Sequence, residues 1–514
     1  MKINLKSSIS PVLVIIALLN VVMHLSVAYN LEYHRDELLY FSLGEHPDFG
    51  FATVPPMIGW LAWLLQQLLG HGLFAVRILP ALMSGVMIFL VAGIAKNLGG
   101  SKYAELLAAV GFTVAGFALR TFSLFMPVFL DVFFWTLIIF IVIRYINSDN
   151  DKYLIYFGIV AGLSVMNKYL IGVLFVGLLV IILFTRYRTV FAKKMFWLGI
   201  AAGFLICLPN IVWQFVHNLP VINHLSELER TQLVNVDRVT FLLEQLMMGA
   251  MASVLSVAGL LFILINRKVA KYRFLGFLML FVIISLMLLR GKSYYTIGIY
   301  PFLFAAGAVS YDLILKKTWS RIALPALLIL LTWPVLPMGL PIYKSKGLVK
   351  YFSVVENKYG VVVGRRFEDN SIHSLPQDYA DMIGWEELTR IADSAYNMIE
   401  DKKAAFIYCE NYGQAGAITI IGKKYGLPQA VCFSESFRYW FPHEFNPDIT
   451  SMVYINDEPG DDVKGFFRVI TKIGSISDPD ARESGTGVFL CQEPVDSFNK
   501  FWKDRIKKLD QENN

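Results

Sequence analysis

Long apolar runs fill positions 10 to 340 of this 514-residue chain, whereas 345 to 514 has the mixed, charged texture of a soluble domain. No other feature constrains the fold as much. About 20 consecutive apolar residues cross the ~30 Å hydrocarbon core of a bilayer as a helix, because a helix satisfies every backbone N–H and C=O inside the segment. With 56% hydrophobic and 17% charged residues, the chain holds more apolar surface than one soluble core of its length can bury. The fold class expected is a polytopic α-helical membrane protein of about eleven spans, followed by a C-terminal soluble α/β domain. The domain boundary falls near Pro341, separating a membrane domain, 1–340, from a soluble domain, 341–514.

The expected spans are roughly 10–28, 75–95, 104–118, 127–146, 153–166, 170–185, 195–212, 245–265, 273–289, 296–315 and 321–340. Asn167-Lys168-Tyr169 interrupts what would otherwise be one long helix, so 153–185 is read as a hairpin. When the spans alternate, Lys2 and Lys6, Lys96 and Lys102, Lys152, Arg186 to Lys194, Arg267 to Arg273 and Lys316 to Arg321 fall on one face. Positively charged loops stay in the cytoplasm, which puts the N-terminus inside and the C-terminal domain in the periplasm of a bacterial inner membrane. The first run lacks a small-residue cleavage site and is expected to be retained as a helix. The net charge of +6 is accounted for by these loops, so nucleic-acid binding is not expected. Three cysteines, Cys409, Cys432 and Cys491, fall in the outer domain, where one pair is free to bridge. Their spacing has no metal-site pattern, and no Walker loop, HExxH or dinucleotide fingerprint stands in a credible context.

Chemistry is therefore expected on the outer face. The first outer loop reads Tyr33-His34-Arg35-Asp36-Glu37-Leu38-Leu39-Tyr40, then Gly50-Phe51-Ala52-Thr53-Val54-Pro55-Pro56. Two adjacent carboxylates directly after a span either cap an interfacial helix or serve a reaction there. Asp131 opens a later span, as a helix cap or as a functional acid, and Lys168, Arg290, Lys292, Tyr294 and Tyr295 are placed by the alternation on the same face. Charges near membrane depth cost roughly 2.5–3.5 kcal/mol each at a helix centre, so they are paired, functional, or snorkelling toward headgroups. Sugar transfer from a polyprenyl phosphate needs this inventory. The phosphate leaves as a stable anion and calls for cations rather than a general acid, and one carboxylate suffices to take the acceptor's proton.

The Asp36-Glu37 loop, the Gly50 to Pro56 turn, Asp131, Lys168 and Lys292-Ser293-Tyr294-Tyr295 ahead of Pro301 together resemble the GT-C superfamily, in its protein O-mannosyltransferase and lipid A aminoarabinose transferase branch. The resemblance implies a membrane glycosyltransferase that uses a polyprenyl-phosphate sugar on the periplasmic side. It implies Asp36 as the catalytic carboxylate with Glu37 its neighbour; the leaving-group chemistry above calls for Lys168, Arg290 and Lys292, with Tyr294 and Tyr295, around the donor phosphate, and His34, Arg35 and Asp131 are expected in support. Val54 stands where the aminoarabinose branch carries Lys before Pro-Pro, so that branch's donor and its lipid A acceptor are not carried over. No metal ligand is assigned; a divalent cation between Asp36, Glu37 and Asp131 is left open, as some distant relatives use one.

In the C-terminal region a strand over Ala404 to Cys409, the Asn411 to Gly416 turn opening a helix, and Gln429 to Phe433 read as a small α/β unit with an amphipathic helix near 385–399. The Asn411 turn is either an anion or sugar site at a helix N-terminus or ordinary strand-to-helix punctuation. Tyr439, Trp440 and Phe441 offer rings for a sugar or the membrane surface, or simply for a core. Residues 213–244, with His217, His224, Glu227, Glu229 and Arg230, read as a long outer loop that covers substrate or forms a structural lid. Against the enzyme stands a transporter or flippase for a lipid-linked or sugar substrate, which would show internal repeats and mid-bilayer polar residues. A non-catalytic scaffold is the third class.

Overall fold

A computed structural model describes residues 10–360, 362, 364–367, 371–442 and 448–513; Lys2 and Lys6 lie outside them. The chain divides into two compact units, one of Met1–Val27, Arg77–Ile211 and Leu225–Leu340, the other of Ala28–Val76, Val212–His224 and Pro341–Asn514. One of the divisions between the units lies at Leu340/Pro341. The segment after the first helix nevertheless belongs with the C-terminal region, because the two exchange backbone hydrogen bonds: the Glu32 and Arg35 N–H groups donate to the carbonyls of Met382 and Asp381 at 3.1 and 3.0 Å.

The first unit is helical. Each of the eleven expected segments overlaps a helix. Among the described residues six helices are long and apolar enough to cross a membrane, or up to eight if each of two bent pairs is one span. Helices in lipid gain little from apolar burial against one another, so close backbone approach has to hold them. Gly158 and Gly162 on Lys152–Val165 meet Gly199 and Gly203 on Lys194–Val216. A Cβ on Gly158 would lie 1.9 Å from the Gly199 carbonyl oxygen, and one on Gly162 would lie 2.6 Å from that of Gly203. Helices Ser253–Ile265 and Tyr300–Ile314 cross in the same way, with Gly259 against the Leu303 carbonyl and Gly307 against that of Leu255. The expected long loop 213–244 is largely helical instead: one helix runs on to Val216, and Pro220–Thr231 and Arg238–Met248 follow. Asp237 caps the last of these by accepting from the Thr240 N–H.

The second unit carries a four-stranded sheet: β1 (Ala405–Cys409), β2 (Ser451–Asn456), β3 (Phe467–Ser475) and β4 (Gly487–Pro494), in the order β1-β2-β4-β3. Strands β1 and β2 are parallel, and the other two pairings are antiparallel. One face buries Phe406, Tyr454, Phe489, Phe498 and Trp502, the last two from the helix Ser497–Asn513. Gln429 to Phe433 forms no full strand. It touches β1 at a single parallel bridge, Tyr408 with Val431, where the Cys409 N–H donates to Val431 O and the Val431 N–H to Ile407 O. All four cysteines are buried free thiols, so the bridge left open from the sequence does not form. Burial pushes Cys432 and Cys491 up to about 12 and Cys409 well above its usual value, which keeps them as protonated, unreactive core residues.

Candidate functional site

Asp36 and Glu37 lie in the first turn of the helix Arg35–Ser42, and they do different things there. The cap is His34, whose Nδ1 accepts from the Asp36 N–H at 3.0 Å. Glu37 closes a capping box by accepting the His34 N–H on Oε2 at 2.9 Å, and it is fully buried. Its carboxylate is thus a helix-start device held inside the protein. Asp36 is only half-buried, and its Oδ1 accepts from the Tyr412 hydroxyl at 2.9 Å. Burial first, and the Asp36 carboxylate next, push Tyr412 far above the ordinary phenol range, so its hydroxyl remains a donor.

The groups behind Asp36 come from the C-terminal region. The Arg35 guanidinium lies over the Tyr412 ring at 4.4 Å, and its charge is favoured by Glu483, Asp381 and Asp36, which outweigh the cost of burying it. Asp381 is buried and meets Arg482 Nη1 with both oxygens, at 3.3 and 3.1 Å. Burial still leaves Asp381 above the usual carboxylate range despite His34, Arg482 and Arg35. His34 Nε2 faces Asp378 Oδ1 at 3.9 Å without a hydrogen bond. Burial would depress this imidazole, but Asp378, Asp36 and Asp381 outweigh it and favour the charged ring. The cap opposes them: Nδ1 accepts the Asp36 N–H hydrogen bond only while it carries no proton, so the geometry is that of the neutral ring with hydrogen on Nε2.

The Asn411 turn is a second capping box. Asn411 Oδ1 accepts the N–H groups of Gly413 and Gln414 at 2.9 and 3.1 Å, occupying the donors that an anion would use. The glycines in this helix, Tyr412–Ile420, serve contact with Arg35–Ser42: a Cβ on Gly416 would sit 2.8 Å from Leu38 Cβ, and one on Gly413 would sit 2.7 Å from Arg35 Cγ. Tyr412 faces Asp36 because this packing is tight. The Gly50 to Pro56 turn is held likewise, with the Ala52 N–H on Ser436 Oγ at 3.0 Å and Thr53 Oγ1 on Glu435 Oε2 at 2.6 Å. Trp440 stacks on His46 at 4.5 Å, Tyr439 meets Trp213 edge-on at 6.0 Å, and Phe441 is buried in the core. His217 stacks on Trp213 at 4.0 Å, and its Nδ1 donates to the Trp213 carbonyl.

In the membrane unit a second group assembles. Asp131 does not cap its helix, Pro127–Ser148; Met126 holds that position, and Asp131 lies one turn inside, buried, accepting from Trp135 Nε1 at 3.0 Å. Lys168 lies within electrostatic reach of Asp131 and Lys292, and its Nζ stands 5.6 and 5.3 Å from the ring centres of Tyr294 and Tyr295. Its hairpin tip is tied down by Asn167 Nδ2 on the Pro127 carbonyl at 3.0 Å. Gly298 lets the turn Ser293–Ile299 press on Trp135, where a Cβ would come within 2.5 Å of the indole. Arg290 goes elsewhere: exposed at φ 53°, it donates from Nη1 to the Val234 carbonyl at 2.8 Å. Among the described residues no three His, Cys, Asp or Glu side chains gather in a way that would hold a metal ion.

Sequence reasoning named Asp36, Lys168, Lys292, Tyr294 and Tyr295 but missed Tyr412, Asp381 and Arg482. The trace of Tyr412 in the sequence is an Asn-Tyr-Gly-Gln turn after a strand, which signals a helix start and says nothing of what the tyrosine reaches; Asp381 and Arg482 carry no such local signal.

These features define a polytopic helical membrane protein whose first extramembrane helix is buttressed by a C-terminal α/β region. The family model for dolichyl-phosphate-mannose-protein mannosyltransferases matches residues 53–213. A lipid A galacturonosyltransferase, RgtD of Rhizobium johnstonii, is 23% identical over 201 residues, which are 38% of this chain and 41% of that relative's length. Two crystal structures of ArnT from Cupriavidus metallidurans, one bound to undecaprenyl phosphate and one in the apo state, share the fold at TM-score 0.61, with 12% and 13% identity, over 93% of this chain and 97% of theirs. Residues 53–213 thus resemble the mannosyltransferase family, the chain spans about two fifths of the length of the curated relative it matches, and it shares the fold of ArnT.

Proposed function

We propose that this protein moves a sugar, hexose or pentose, from a polyprenyl-phosphate donor to a periplasmic acceptor, whether protein, lipid or glycan, at the bacterial inner membrane. The observation that carries the reading is Asp36: a half-buried carboxylate at a helix start, with its hydrogen-bond donor, Tyr412, held protonated and Arg35 beside it. Asp36 takes the proton of the acceptor hydroxyl as that oxygen attacks the anomeric carbon, and the polyprenyl phosphate departs with the bonding pair. Tyr412 orients the carboxylate. Lys168 and Lys292 stabilise the charge that grows on the leaving phosphate, with Tyr294 and Tyr295 flanking the Lys168 ammonium. Glu37 and His34 hold the helix start, Asp131 holds Trp135, and Arg290 secures the neighbouring turn. The undecaprenyl phosphate bound by ArnT supports the donor class, and the lipid A named for RgtD supports a glycolipid acceptor.

The test supplies purified protein in proteoliposomes with undecaprenyl phosphate carrying labelled mannose, aminoarabinose or galacturonic acid, together with envelope glycolipids and proteins as acceptors. Envelopes of a strain lacking the protein are compared by mass spectrometry. Transfer of one label and loss of the matching sugar are expected. An unchanged envelope together with no transfer from any donor would refute the proposal.

A further inference from the structure

The membrane unit has a cavity of about 470 Å³ that the reaction above does not use. Arg186 and Tyr187, just past the helix Gly172–Leu183, line one side; Lys271, Arg273, Phe274 and Phe277 line the other. Three cations and no carboxylate thus face one space. Arg186 and Lys271 are close enough to repel each other. Lys271 donates to Asn147 Oδ1 at 2.6 Å, and Arg186 lies on the Tyr187 ring, so among the described residues neither has an acidic partner. The Arg273 guanidinium makes no hydrogen bond or ion pair among the described residues, and its Nε is shut off from solvent inside the protein. Arg273 is half-buried, and leaving its enclosed Nε donor unsatisfied beside two like charges carries a cost that an anion completing the set would relieve.

The chemistry of that anion follows from its surroundings. Phe274 and Phe277 form an apolar wall, and Phe277 and Phe184 are 52% and 88% exposed. In a polytopic membrane protein, large apolar residues so exposed at helix ends face acyl chains. The loops Arg186 to Lys194 and Arg267 to Arg273 are also those whose charge marks the cytoplasmic side under the positive-inside rule. We propose that this cavity binds the phosphate headgroup of an anionic phospholipid of the cytoplasmic leaflet, with Arg273 at its centre, Arg186 and Lys271 flanking it, and the acyl chains running along Phe277. Basic recesses between membrane helices are suited to such headgroups, each cation adding roughly a five-fold preference.

The full-length protein is reconstituted in phosphatidylcholine, and its affinity for chain-labelled phosphatidylglycerol relative to chain-labelled phosphatidylcholine is read by spin-label spectroscopy. The wild type should prefer the anionic lipid by roughly tenfold or more, and Arg186→Gln/Lys271→Gln/Arg273→Gln should abolish the preference. A charge-matched control, Arg188→Gln/Lys268→Gln/Lys317→Gln, should keep it, as should the wild type in millimolar inorganic phosphate. No preference in the wild type, or equal loss in the control, overturns the site. Displacement by inorganic phosphate overturns the lipid as occupant. Should the triple variant misfold, Arg273→Gln and Arg273→Lys decide: the first should lose most of the preference and the second should retain part.

Discussion

Replacing Asp36 by Asn separates chemistry from folding at a single atom. The amide keeps the size of the carboxylate and an oxygen that still accepts from Tyr412, so the helix start and its cap are preserved. What folding loses is the difference between a charged and a neutral hydrogen bond, about 1 kcal/mol. What the reaction loses is the base itself, about two to four orders of magnitude in rate, or about 2.7–5.4 kcal/mol of barrier. The second quantity exceeds the first several-fold, so turnover should collapse while yield and melting temperature stay close to wild type. Tyr412→Phe removes the orienting donor and leaves the base, and should cost about tenfold, the share of one hydrogen bond to a charged group. The assay is labelled-sugar transfer in proteoliposomes at matched protein level. Transfer by Asp36→Asn within tenfold of wild type would refute Asp36 as base. If Tyr412→Phe were the more damaging change, the order of roles would be reversed.

Glu37→Gln should show the opposite profile, because the carboxylate closes a buried capping box: a stability loss of about 0.5–2 kcal/mol by thermal melting, with turnover per folded molecule largely kept. Lys168→Gln and Lys292→Gln should lower turnover at saturating donor, whereas Arg290→Gln, which loses a bond to the Val234 carbonyl, should mainly change stability; three unchanged rates would remove the phosphate role. Gly158→Ala should destabilise by about 1–3 kcal/mol, since its Cβ would lie 1.9 Å from the Gly199 carbonyl oxygen, and an unchanged melting temperature would mean that this crossing is looser than described. Burial alone would raise Glu45, but His71 at 2.8 Å and Lys423 at 2.5 Å outweigh it and hold the carboxyl below its usual 4.5. Being depressed on folding, Glu45 contributes stability that is present above pH 4.5 and lost as pH falls through its folded value, so wild type should lose more melting temperature than Glu45→Gln on acidification from pH 5 to 3; parallel curves would contradict this.

Read alone, the chain already determined its solvent and its class. Apolar runs of membrane length leave a helix as the only economical way to pair their backbone groups, and this holds for each run without knowledge of its neighbours. The acid at the first loop and the order of Lys168 and Lys292-Ser293-Tyr294-Tyr295 were legible for a similar reason: residue type and sequence order need no third dimension. Partnerships were not legible. Glu37 and Asp36 are adjacent carboxylates in one turn, yet one bonds back to His34 and the other faces Tyr412, 376 positions away in the sequence. Nothing local announces that choice. It depends on Gly413 and Gly416 letting one helix lie against another, a contact between segments far apart in the chain. The same holds for Gly158 with Gly199, for Gly298 with Trp135, and for Gln429 to Phe433, which reads as a strand but finds only one bridge. Periodicity and composition are sums over neighbours in sequence, so they determine what each segment is and which solvent it meets. Tertiary packing decides which side chains share a space, because that depends on steric fit between segments whose separation along the chain carries no signal.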